Sequence, residues 1–108
     1  MSVAVDSTLI DDVVRDTVQA VKPLRIIVFG SAARGQMNAN SDLDLLIVMP
    51  EGTHRRNTAR QVYRALAGLD LPKDIIVITE EDIRKYGDEP SLVIHPALRE
   101  GREIYRAC

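Results

Sequence analysis

The sequence reads as an α/β domain in which a mixed β-sheet is flanked by helices. Two observations lead there. Three short runs, Arg25–Phe29, Leu43–Met49 and residues 74–79, are too rich in β-branched residues and too brief for helices, and each is bounded by glycine, proline or polar residues. Before and between them lie segments whose apolar residues recur at i, i+3 and i+4, the period of a helix with one buried face. A length of 108 residues, 45% of them apolar, suits one domain over 1–108 and leaves no room for a second substrate-binding unit.

The elements follow in order. Ser7 is suited to cap a first helix that ends near Val21, whose apolar face is Ile10, Val13, Val14, Val18 and Val21, and Pro23 closes it. Arg25–Phe29 is a short buried strand. Residues 30–41 read as a turn, a brief helical piece over 32–34 and a polar loop. Leu43–Met49 is the second strand, ended by Pro50-Glu51-Gly52. Thr53 is expected to cap a helix over 54–69 with Ala59, Val62, Tyr63, Leu66 and Leu69 inward. A third strand covers 74–79. Thr79 and Asp82 then have the spacing of a capping box, opening a short helix that ends at Gly87. Residues 91–100 read as helical, kinked or split at Pro96, and residues 102–106 as a final edge strand.

Composition excludes several classes. A net charge of −2 does not support strong bulk binding to DNA or RNA, which needs a dense basic surface. No apolar run reaches the roughly 20 residues that span a bilayer. Asp6, Asp11 and Asp12 interrupt any signal-peptide pattern. The lone cysteine, Cys108, cannot form an internal disulfide, so a reducing, cytoplasmic setting is expected.

The chemistry concentrates in Val28-Phe29-Gly30-Ser31-Ala32-Ala33-Arg34-Gly35 and Ser41-Asp42-Leu43-Asp44. Alternation along a strand sends Asp42 and Asp44 to the same side, and two carboxylates so close repel unless a cation lies between them. Asp74 opens the next strand, and converges on the same point if the strands are neighbours. Oxygen-only ligands suit Mg²⁺, and the absence of a His or Cys cluster argues against zinc. Gly30, lacking a Cβ, lets backbone N–H groups approach a phosphate, with the Ser31 hydroxyl and the Arg34 guanidinium as further donors. The turn is neither a Walker A loop nor a Rossmann fingerprint. An isolated Asp-x-Asp is common and could simply cap a turn together with Ser41. The third aspartate is what favours a functional reading.

Gly30-Ser31, ten intervening residues and Asp42-Leu43-Asp44 match the Gly-Ser-x10-Asp-x-Asp signature. On these residues the chain resembles the polymerase-β-like nucleotidyltransferase superfamily. Its size and the Gly101-Arg102-Glu103-Ile104-Tyr105 ending are similar to the minimal MNT-domain members, the likeness running over 24–105. The resemblance implies that core fold, with Asp42 and Asp44 coordinating Mg²⁺ and the nucleoside triphosphate. By the same likeness Asp74 is the third carboxylate, which binds the catalytic metal of a two-ion site and helps activate the attacking hydroxyl. Gly30 and Ser31 would grip phosphate, with Arg34 a basic residue of less defined role. It further implies a helical HEPN-type partner, a toxin onto whose hydroxyl AMP is transferred from ATP, making this chain the antitoxin. The alternatives are a non-catalytic module that inhibits its partner by covering it, and transfer to a small molecule with a homo-oligomer completing the site.

Arg56, Arg60 and Arg64 form an i, i+4, i+8 row with Arg55 beside it, read first as a solvated face and second as a stripe for an acidic partner. His54 and His95 have no evident partner in the sequence. Tyr63 and Tyr105 read as core or edge packing, and Tyr86 as a surface contact.

Overall fold

The computed structural model describes residues 7–30, 42–69, 72–86 and 94–107. The order is α1 (Ser7–Val21), β1 (Arg25–Phe29), β2 (Leu43–Met49), α2 (Arg55–Ala65), β3 (Lys73–Thr79), α3 (Glu80–Tyr86), α4 (Ile94–Glu100) and β4 (Arg102–Arg106). The strands form one mixed sheet in the order β3-β2-β1-β4. β1 is antiparallel to both β2 and β4, whereas β2 and β3 are parallel and joined through α2. The mixed sheet with helical flanks is as expected.

The sheet is covered on both faces. On one, Ile26, Val28, Leu43, Leu45, Ile47, Ile75 and Val77 pack with Val13 of α1 and Val62 of α2. On the other, Ile27, Leu46, Val48 and Ile78 pack with Ala97 of α4, and Phe29 and Ile76 lie at the margin. β2 is therefore buried on both sides, and each fully covered Leu, Ile or Val contributes about 1.5–3 kcal/mol. Its one residue that is not buried is Asp44. No helix among the described residues is long and apolar enough to cross a membrane.

Three local expectations change. The cap of α2 is His54, whose Nδ1 accepts the Asn57 N–H at 3.2 Å, not Thr53. Thr53 is occupied: its hydroxyl donates to the Pro50 carbonyl at 2.7 Å and so completes the preceding turn. α2 also stops at Ala65, with Leu66 as its C-cap, so Leu69 packs on the core from a turn. Tyr63 points outward, 41% exposed, its hydroxyl accepting the Ile75 N–H at 3.0 Å. Pro96 stands in the first turn of α4, where its missing N–H has no helical acceptor to serve, and residues 91–93 of the expected helix lie outside the described residues. The capping box is as expected, with Thr79 N–H donating to Asp82 Oδ2 at 3.0 Å and Asp82 N–H donating to Thr79 Oγ1 at 3.2 Å. Tyr105 packs on the core and Tyr86 is exposed, also as expected.

Two stability predictions arise here. Thr17 of α1 is fully buried, and its hydroxyl has no hydrogen-bond partner among the described residues. Thr17→Val keeps the shape and removes an unsatisfied polar group, so it should stabilise by about 1 kcal/mol in urea denaturation. Asp82 also meets Arg55 Nη1 at 2.7 Å. Burial pushes its carboxyl up, but the Thr79 N–H and the Arg55 guanidinium outweigh that and hold it below the usual aspartate value. A lowered folded-state value means stability present above about pH 4 and lost as pH falls further. Melting temperature should therefore drop less between pH 5 and pH 2 in Asp82→Asn than in the parent chain, and equal drops would contradict the assignment.

Candidate active site

Topology brings the ends of three strands together. Antiparallel pairing lays the end of β1 beside the start of β2, and parallel pairing lays the start of β3 beside the start of β2. The register is Phe29 opposite Asp44 and Asp44 opposite Asp74. Register partners on adjacent strands lie on one face about 4.8 Å apart, so the Asp44 and Asp74 carboxylates rise from neighbouring positions. That face is the one lined by Leu46, Val48 and Ile76. Asp44 is half-buried and Asp74 exposed. Asp42, also exposed, adjoins the start of β2 two positions before Asp44.

Gly30 leaves β1 with φ +70°, a left-handed conformation that side chains seldom adopt. A Cβ built on it would overlap Oδ2 of Asp44, so the bare backbone at Gly30 fits against that carboxylate. Ser31 and Arg34 lie outside the described residues, as does the helical piece expected over 32–34. Phe29, read from the sequence only as a strand end, is the cross-strand neighbour of Asp44. Only the register could have revealed it.

The donor chemistry fits a hard cation. Asp44 and Asp74 offer oxygen only, with Asp42 next to them. Among the described residues no three His, Cys, Asp or Glu side chains form a ready-made metal cage. Asp42, Asp44 and Asp74 are thus not drawn together into a three-carboxylate cluster, whereas Mg²⁺ is usually bound through one or two carboxylates together with waters and substrate phosphates. A groove of about 550 Å³ lies elsewhere, at the far ends of β2 and β3, lined by Thr53, Arg55, Thr79, Asp82, Lys85 and Tyr86 among others. Its cations are already paired, Arg55 with Asp82 and Lys85 with Glu81.

The fold and this carboxylate-bearing sheet end define a domain class. The family model described as "Nucleotidyltransferase domain" matches residues 10–103, and the chain belongs to that family. Among solved structures, one assigned as a nucleotidyltransferase from Sulfolobus solfataricus is 20% identical, with a TM-score of 0.61, covering 92% of this chain and 78% of that one. A toxin–antitoxin complex with AMP-PNP is 18% identical, with a TM-score of 0.64, covering 91% and 73%. A mutant of the toxin–antitoxin MntA-HpeT is 14% identical, with a TM-score of 0.63, covering 95% and 75%. At these identities the solved structures speak for the fold. No curated protein matches the chain in sequence.

Proposed function

We propose that this domain transfers a nucleoside monophosphate, AMP from ATP, to a hydroxyl on a partner protein, a HEPN-type toxin, and thereby acts as its antitoxin in the cytoplasm. The observation that carries the reading is the register of Asp44 with Asp74 beside the Cβ-free backbone of Gly30. Family membership supports nucleotidyl transfer. The toxin–antitoxin neighbours, one described with AMP-PNP, support the partner and the nucleotide. The MntA-HpeT neighbour carries two aspartate-to-glutamate changes two positions apart, the spacing of Asp42 and Asp44.

Asp42, Asp44 and Asp74 would hold two Mg²⁺ ions, which when bound neutralise the phosphate oxygens and favour the attacking and leaving groups. The residues of the chain orient the rest. Gly30 and Ser31 offer N–H and hydroxyl donors to the outer phosphates, where negative charge builds, and Arg34 adds a cation. An acceptor hydroxyl attacks the α-phosphorus in line, the bond to the bridging oxygen breaks, and pyrophosphate departs. Asp74, an exposed residue on the edge strand β3, would take the hydroxyl proton.

The test incubates the chain with labelled ATP, Mg²⁺ and the helical protein encoded beside it, and weighs the products. A gain of one or more AMP units on that protein supports transfer. A tight complex with no gain overturns transfer in favour of inhibition by covering.

A further inference from the structure

A second surface lies along the outer edge of β3. Leu43 N–H donates to the Pro72 carbonyl at 2.9 Å, while Leu43 is in register with Lys73. In a parallel ladder this turns the peptide groups of Asp74, Ile76 and Ile78 toward β2 and those of Ile75, Val77 and Thr79 outward. Two of the outward N–H groups are occupied: Ile75 donates to the Tyr63 hydroxyl and Thr79 to Asp82. Among the described residues nothing pairs with the N–H or C=O of Val77. Among the described residues the outer edge is thus open at its middle, at Val77, on a strand whose last five residues are Ile, Val and Thr, the kind of edge that accepts another strand.

Tyr63 reaches this edge from α2. At 3.6 residues per turn Arg56, Arg60 and Arg64 follow Tyr63 round the helix by about 20°, 60° and 100°, all on the side away from the buried Val62. All three arginines are exposed, and among the described residues none forms an ion pair, in contrast to Arg55. Their axial spacing is about 6 Å per i, i+4 step, and alternate residues of an extended strand are about 6.6 Å apart. Side chains at every second position of an added strand therefore keep pace with the arginine row.

We propose that this edge docks an extended segment of a partner protein that carries carboxylates at alternate positions. Its backbone pairs with Val77, and its acidic side chains meet Arg56, Arg60 and Arg64. A second copy of this chain is a poor occupant, because edge-to-edge pairing would bring two arginine rows together. Nucleic acid is also disfavoured, since the net charge is −2 and Tyr63 is the one aromatic on this flank. The proposal does not depend on the transfer reaction.

The probe is the peptide acetyl-Thr-Glu-Val-Glu-Val-Glu-Thr-amide, titrated into the isotope-labelled chain and followed by NMR. At about 1 mM peptide, exchange of the Val77 amide should slow by about tenfold. Arg60→Glu combined with Arg64→Glu should weaken binding about tenfold or more and confer binding of the matching lysine peptide. Arg60→Gln, with circular dichroism as the folding check, should fall between. No binding at this concentration, an unprotected Val77 amide, unchanged affinity in the charge-reversed variant, or displacement of the peptide by a short RNA of equal charge would each overturn the proposal.

Discussion

Asp44→Ala should abolish nucleotidyl transfer, by at least about a thousandfold, while leaving the melting temperature unchanged or slightly raised. The loss is large because Asp44 is the central member of the row: Phe29 flanks it on one strand and Asp74 on the other. Charge stabilisation around a reacting phosphate is worth several kcal/mol, and each 1.4 kcal/mol is about tenfold in rate. The fold should survive because Asp44 lies at the border of the sheet, outside both clusters of the hydrophobic core. Asp44→Asn keeps the shape and should fail equally, which separates charge from packing. Retained wild-type transfer with Mg²⁺ in either variant would remove Asp44 from the chemistry.

Gly30→Ala should destabilise the chain by about 2–4 kcal/mol and suppress transfer along with it. Two costs combine. A side chain at φ +70° is strained, and its Cβ would occupy the position of the Asp44 carboxylate. Gly52 provides the control, because its φ is +89° but nothing lies within 4 Å of a Cβ built there. Gly52→Ala should carry only the backbone cost, about 1 kcal/mol, with transfer intact. Equal urea midpoints for the two variants would mean that the clash with Asp44 is unimportant.

The strands were legible because their signals are local. Ile26-Ile27-Val28 and Leu45-Leu46-Ile47-Val48 are apolar runs that a helix would not favour, and a Pro or Gly stands near their ends. The Thr79–Asp82 box was legible for the same reason, being two side chains at a fixed offset. The cap of α2 was not: Thr53 is the better N-cap by residue type, and only the turn at Pro50 reveals that its hydroxyl is already committed. Tyr63 misled because its spacing fits the apolar face, while its hydroxyl serves an N–H on β3, a contact between elements. Of the candidate site, Asp42 and Asp44 could be read as a pair from alternation alone. Joining Asp74 to them required β2 and β3 to be adjacent and parallel, which depends on how α2 crosses the sheet.

The neighbourhood of residues 30, 44 and 74 exists only after three strand ends from different parts of the sequence have been brought to a common border. No isolated hairpin or fragment contains it. Nucleotide affinity should therefore vanish in the same cooperative step that dismantles the sheet, which makes ligand capture a direct gauge of complete folding.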